Sequence, residues 1–130
     1  MWKKLLLFPF ALLLLGCATI TKFDQNSYNA AQALKEDAVT VVTHASPSAV
    51  DSISVRLDAQ VAYETGKGKA NRISAAQWKL IANPQGNLLG GWIKTYRQGV
   101  VMSDAYNLEK AKQIGLAFDE VLKLEGGKLR

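Results

Sequence analysis

The spacing of apolar residues predicts a helix near each end of the region that follows an apolar leader. In both stretches the apolar positions recur at alternating intervals of three and four, which places them on one face of a helix. Residues 26–45 and 104–125 therefore each predict one helix. The first carries Ala31, Leu34, Ala38, Val41 and Ala45, and the second carries Leu108, Ala111, Gly115, Phe118 and Leu122.

The last of these helices has clear start and stop signals. Ser103 is a good N-cap, and Asp104 follows it at the positive end of the helix dipole. Gly126 and Gly127 end the pattern, and Asp119 stands four residues before Lys123, a spacing at which opposite charges pair on a helix. We expect an ion pair between Asp119 and Lys123.

Residues 48–65 fit two patterns. The positions of Val50, Ile53, Leu57 and Val61 fit one helix face, yet apolar and polar residues also largely alternate from Ile53 onward, as in a strand. Helix is favoured because the run is long for a strand, where about 5–6 residues are usual. Ser46 can cap such a helix with Pro47 at its first position, and Gly66 can end it.

The middle of the chain begins with a capping-box pattern, Ser74-Ala75-Ala76-Gln77, with Ile73 and Trp78 placed as a hydrophobic staple. A turn is expected at residues 83–86, Asn-Pro-Gln-Gly, before a second apolar helix stripe over 88–100. The alternative is a hairpin that pairs residues 77–82 with 88–96. The fold prediction is therefore a mainly α protein, a small bundle of three to four helices over residues 26–130, with an α+β fold containing this hairpin as the alternative.

The leader has the composition of a secretory signal peptide. Lys3 and Lys4 precede an uncharged apolar run from Leu5 to Leu15, and Gly16 follows as a small residue. A membrane-spanning helix needs about 20 apolar residues. This run is shorter than that and contains a proline, so a cleaved leader over residues 1–16 is the preferred interpretation.

The end of the leader, Leu14-Leu15-Gly16-Cys17, resembles the lipobox of bacterial lipoproteins. The resemblance covers only these first residues. It implies that a diacylglycerol is attached to the Cys17 thiol and that a signal peptidase cuts between Gly16 and Cys17. With Ala18 rather than Asp after the cysteine, it implies the periplasmic face of the outer membrane rather than the inner membrane. Residues 17–25 would then be the lipidated cysteine and a short tether.

Signals for catalysis are sparse in the remainder of the chain. His44 is the only histidine and has no partner at helical spacing, and no known nucleophile, zinc or phosphate-loop motif is present. The single cysteine excludes an internal disulfide and a zinc site of several thiolates. We therefore expect neither an enzyme nor a bound cofactor or metal.

Charge is distributed unevenly along the chain, whose formal net charge is +5. Residues 24–64 hold six acids against two bases, whereas residues 65–103 hold six bases and no acid. Such asymmetry suggests an interaction surface for a partner or polyanion. Pairing with the acidic first half of the same domain is the alternative. The candidate binding residues are Lys67, Lys69, Arg72, Lys94 and Arg97.

Together these patterns predict a non-catalytic lipoprotein, held on its membrane through Cys17, that docks an unknown protein or polymer of the cell envelope. Nucleic acid is not expected as a partner, because it is not normally present in the periplasm. The alternative is a binder of an envelope polymer or lipid that uses a basic surface containing Trp78 and Trp92. At helical spacing beside Ile81 and Ile93, these two tryptophans are more typical of a core.

Overall fold

The structure, a computed structural model, describes residues 21–130, so the leader, Gly16, Cys17 and Ala18 lie outside the described residues. The described chain forms five α-helices and one 3-10 turn, and it contains no strand. The elements are α1 (Gln25–Thr43), α2 (Pro47–Gly66), the 3-10 turn (Lys69–Asn71), α3 (Arg72–Ala82), α4 (Leu89–Arg97) and α5 (Asp104–Gly126).

Side-chain caps fix where three of these helices begin. The Asp24 carboxylate accepts a hydrogen bond from the Asn26 amide at the start of α1. Ser46 accepts one from the Ala49 amide with Pro47 in the first turn of α2, and Ser103 accepts one from the Tyr106 amide at the start of α5. The predicted caps Ser46 and Ser103 are confirmed, because a cap depends only on residues close in sequence.

The core lies between the two terminal helices, α1 and α5, and the three helices between them in sequence. Helices α1 and α5 run antiparallel, since Lys35 pairs with Asp119 and Gly126 lies beside Tyr28. Trp78 of α3 packs edge-on against Phe118 of α5, with 5.8 Å between ring centroids, and both side chains are fully buried. Aliphatic residues from every α-helix complete one continuous apolar cluster.

The mainly α prediction is confirmed, but the described chain has five α-helices rather than three to four. Residues 48–65 are helical within α2, and the hairpin alternative is wrong because residues 77–82 and 89–96 belong to α3 and α4. Alternation along α2 was misleading since only Val50, Ile53, Leu57 and Glu64 are buried, which is one helix face.

The predicted capping box at Ser74 is wrong. Helix α3 begins at Arg72 because the 3-10 turn leads directly into it, so Ser74 is a buried residue inside the helix. Ile73 is 60% exposed and cannot act as a staple against Trp78. The predicted Asp119–Lys123 pair is also replaced: Asp119 pairs with Lys35 across the α1–α5 interface, and Lys123 pairs with Glu120.

Gly90 and Gly91 allow α4 to pack against the turn that precedes it. A Cβ atom on Gly90 would overlap the Ala82 carbonyl, and one on Gly91 would overlap the Gly86 carbonyl. These glycines lower helix propensity, but the close backbone approach requires them. The turn at residues 83–86 forms as predicted, with the Gly86 amide donating to the Asn83 carbonyl at 3.0 Å.

Across residues 21–130, none of the helices combines the length and the apolar character needed to cross a bilayer.

Candidate functional sites

A buried charged network occupies the end of the bundle where the chain enters the domain. Its centre is Glu64 at the end of α2, whose side chain is fully buried. The Glu64 carboxylate accepts hydrogen bonds from the Ser27 hydroxyl, from the Lys67 ammonium at 3.2 Å and from the Asn71 amide at 3.1 Å. Three elements of the fold therefore meet on one carboxylate.

A second buried ion pair extends this network to the other end of the sequence. Lys128 donates to both carboxylate oxygens of Glu125, at 3.0 and 2.9 Å, and to Oδ1 of Asn71 at 2.6 Å. The Thr21 hydroxyl donates to the same Asn71 oxygen at 2.9 Å. Asn71 thus joins Glu64 to Lys128 and to the first described residue of the chain.

The outer edge of the network shifts three pKa values. The Tyr63 hydroxyl donates to Asp24 at 2.5 Å and, with help from Lys67 at 3.0 Å, holds the pKa of Asp24 far below its ordinary value. The same hydrogen bond raises the pKa of Tyr63. Burial alone would lower the pKa of Lys67, but its contacts with Asp24 and Glu64 outweigh burial and raise it. These residues therefore stay charged, or in the case of Tyr63 protonated, near neutral pH.

Ser27 and Lys67 have the residue types of a nucleophile and its base, with 2.6 Å between Oγ and Nζ. The chemistry of such a pair requires a neutral lysine and access for a substrate. Here the pKa of Lys67 is raised, its ammonium donates to Ser27, and Ser27 is fully buried. The arrangement is that of a structural hydrogen-bond network.

Metal-ligating residues do not converge within residues 21–130, where no three His, Cys, Asp or Glu side chains are grouped to hold an ion. His44 ends α1 as its C-cap, and its Nδ1 atom lies 3.0 Å from the Thr43 hydroxyl.

The five basic residues singled out in the sequence do not form one surface. Lys67 is in the buried network, and Arg97 pairs with Asp51 at 3.0 Å. Both contacts join the basic middle of the chain to its acidic first half, which was the alternative interpretation. Lys94 donates to the Gln85 side chain at 3.2 Å. Of the five, only Lys69 and Arg72 are both exposed and without an ion-pair partner among the described residues.

Both tryptophans considered as a binding platform are core residues. Trp78 is fully buried, and Trp92 is 2% exposed, stacked on Tyr96 and hydrogen-bonded through Nε1 to Asn107 at 3.0 Å. A surface built on their rings is not available in this fold.

The outer face of α3 is apolar and basic at once. Ile73, Ala76 and Leu80 are all exposed, with Ile73 at 60% and Leu80 at 57%, and their 3-4 spacing puts them on one line along the helix. Arg72 and Lys79 are exposed beside this line. We call these five residues the α3 face. The sequence contains this spacing, although Ile73 was predicted to pack against Trp78 as a hydrophobic staple.

In addition to the α3 face, an apolar groove lies between α1 and α5. It is lined by Val39, Leu108, Gly115 and Leu116, with the Lys35–Asp119 ion pair beside it. Leu108 and Leu116 are 56% and 66% exposed.

A comparison with known proteins finds no matching family model, no similar curated protein and no similar solved structure.

Proposed function

We propose that this chain is a bacterial lipoprotein, cleaved after Gly16 and lipidated at Cys17, whose helical domain is a non-catalytic docking module on the periplasmic face of the outer membrane. The observation that carries the proposal is the run Leu14-Leu15-Gly16-Cys17 behind a basic, apolar leader. Two or more acyl chains on one cysteine hold a protein stably on a bilayer, whereas a single chain does not.

The start of the domain supports this arrangement. The Thr21 amide donates to the Ala70 carbonyl at 3.3 Å, and the Phe23 amide donates to the Leu129 carbonyl at 2.8 Å. The chain therefore contacts the domain from Thr21 onward, within residues 17–25, which were predicted to be the lipidated cysteine and a short tether. Cys17 is four positions earlier, a reach of at most about 14 Å for an extended chain. An anchor at Cys17 would hold this end of the bundle next to the lipid.

The non-catalytic part of the proposal rests on how the charged residues are used. Shifted pKa values, such as those of Asp24 and Lys67, often mark an active site. In this network, however, the carboxylates of Glu64 and Glu125 are held by the ammonium groups of Lys67 and Lys128. Carboxylates that are already bound by ammonium groups of the same chain are suited to holding helices together and are not free to bind a substrate.

Replacing the thiol tests the anchor. With Cys17→Ser, we expect loss of radiolabelled palmitate incorporation and accumulation of uncleaved precursor, because the thiol is the atom that carries the lipid. The matched variant Ala18→Asp should keep the label but move the protein from outer-membrane to inner-membrane fractions. A parent protein that takes up no palmitate would contradict the proposal.

Photo-crosslinking in living cells tests the docking role. A photoreactive residue placed at Leu116, Lys94 or Val101, one position at a time, samples exposed sites on α5 and in the loop before α5 and a half-buried site on α4. We expect discrete protein or wall-polymer adducts from at least one of these positions and none in the Cys17→Ser background. Absence of adducts from all three would contradict a docking module.

A further inference from the structure

We propose that the α3 face lies on the anionic lipid surface into which the Cys17 anchor inserts, so that the domain is oriented on the membrane and not merely tied to it. This inference rests on the proposed lipid anchor. It concerns the five residues Arg72, Ile73, Ala76, Lys79 and Leu80, together with Lys69 in the turn before them.

The composition of this face is that of an interfacial helix. Helices that lie in the headgroup region place apolar side chains toward the acyl boundary and basic side chains beside them. Ile73 and Leu80 supply exposed apolar area seven residues apart, and Ala76 lies between them. The whole stretch from residue 65 to 103 contains no acid, so nothing on α3 would repel an anionic headgroup.

The position of the anchor selects lipid as the occupant of this face. Thr21 is hydrogen-bonded to Ala70, which lies between Lys69 and Arg72. The lipidated residue is therefore at most about 14 Å from Thr21, which contacts the turn before α3. Lys22 is also exposed next to this point. A soluble partner would have to compete with a bilayer that the tether already holds against the same residues.

Charge complementarity also favours an anionic lipid surface as the partner of the α3 face. Each Lys or Arg near an anionic leaflet contributes about 1 kcal/mol of attraction. Lys69, Arg72 and Lys79 are exposed and have no carboxylate partner among the described residues, whereas Lys67 and Arg97 are already paired. Lys112 on α5 is also exposed and has no ion-pair partner among the described residues, so it is the grouping of three such cations before and along α3 that distinguishes this face.

The test uses the full lipidated protein, extracted from membranes and reconstituted into vesicles. A cysteine introduced as Leu80→Cys carries an environment-sensitive fluorophore, since a lipidated Cys17 thiol cannot react. The matched control is Leu116→Cys on α5, a leucine of similar exposure on another face. Vesicles of phosphatidylcholine alone are compared with vesicles that also contain phosphatidylglycerol, at low and high salt.

We expect the Leu80→Cys label to shift to the blue on the anionic vesicles, to be quenched by nitroxide lipids, and to revert at high salt. The Leu116→Cys label should not respond. In the same assay Arg72→Gln/Lys79→Gln should lower the ratio of docked to undocked protein about thirtyfold, the effect of removing two such charges. The charge-matched Lys94→Gln/Lys112→Gln should leave it unchanged.

Two outcomes would overturn the membrane orientation while leaving the anchor intact. One is an equal fluorescence response from the labels at both positions, and the other is a Leu80→Cys fluorescence that does not change with phosphatidylglycerol. A protein adduct from a photoreactive residue at Leu80 in cells would also overturn it, in favour of a protein partner on α3. Mass spectrometry of the same preparation reports the acyl chains on Cys17 separately. Their absence would overturn the anchor, and the orientation with it.

Discussion

The Lys128 ammonium donates a 2.6 Å hydrogen bond to Oδ1 of Asn71, a residue 57 positions earlier in the chain. This contact joins the segment after α5 to the turn before α3, and both groups are buried. Since Asn71 also donates to Glu64, a single amide connects two buried ion pairs. The end of the bundle where Thr21, Asn71 and Lys128 meet is therefore held by polar contacts in addition to the apolar core.

Removal of Lys128 tests whether these buried polar contacts stabilise the fold. Lys128→Met leaves Glu125 as a buried carboxylate without its cation, and breaking a buried pair in this way costs about 3–5 kcal/mol. We expect the free energy of unfolding, measured by urea denaturation, to fall by about that amount. Lys123→Met is the matched control, because Lys123 is 74% exposed in its pair with Glu120 and should change stability by less than about 0.5 kcal/mol. If both variants changed the free energy of unfolding by a similarly small amount, the buried contacts of Lys128 would not contribute to stability.

The basic residues before α3 should separate into two kinds. Lys67→Glu places a third carboxylate against Asp24 and Glu64, so we expect loss of cooperative unfolding or a fall of about 3 kcal/mol or more in the free energy of unfolding. Lys69→Glu changes an exposed charge and should stay within about 0.5 kcal/mol of the parent. Thermal melts followed by circular dichroism compare the two, and an unaffected Lys67→Glu protein would contradict the network.

Two glycine-to-alanine changes should have opposite signs. Gly90→Ala forces a Cβ into the Ala82 carbonyl, which we expect to lower the free energy of unfolding by about 2–3 kcal/mol despite the better helix propensity of alanine. In Gly115→Ala, the new Cβ meets Lys35 and Val39 at an ordinary 3.8 Å, so the gain in helix propensity of about 0.5–1 kcal/mol should remain. A urea midpoint of Gly90→Ala that equals or exceeds that of the parent would refute the close packing of α4, and a lowered midpoint of Gly115→Ala would contradict the prediction for α5.

The Tyr63–Asp24 hydrogen bond should appear in the pH dependence of stability. Because folding lowers the pKa of Asp24, its contribution is present above the ordinary value of 3.8 and is lost as the pH falls below it toward the folded pKa. Tyr63→Phe removes the largest cause of the shift. We expect the Asp24 pKa, followed by carboxyl carbon NMR, to rise toward 3.8, and neutral-pH stability to fall by about 1 kcal/mol.

Tyr106→Phe is the control for this prediction, because Tyr106 has nearly the same exposure as Tyr63, 47% against 45%. It should leave the titration of Asp24 and the acid limb of the stability curve unchanged. If the Asp24 midpoint in Tyr63→Phe equals that of the parent, the phenol is not responsible for the lowered pKa.

The sequence by itself determined the helical class, the caps at Ser46 and Ser103, and the turn at Asn83, because periodicity and capping depend on neighbours within a few residues. The run Leu14-Leu15-Gly16-Cys17, which resembles a lipobox, is equally local, but it lies outside the described residues and its role stays a prediction. The count of three to four helices was too low, although each of the five α-helices lies in a stretch whose pattern favours a helix.

Tertiary structure alone decided which charges are buried and which are free. In sequence, Lys67 and Lys69 are equivalent members of one basic run, yet one meets Asp24 and Glu64 while the other faces solvent. Glu64 is only three residues before Lys67, but Asp24 comes from the start of the domain, and Ser27 and Asn71 complete the network around Glu64. Whether a charge is buried depends on such long-range contacts, and no local pattern encodes them.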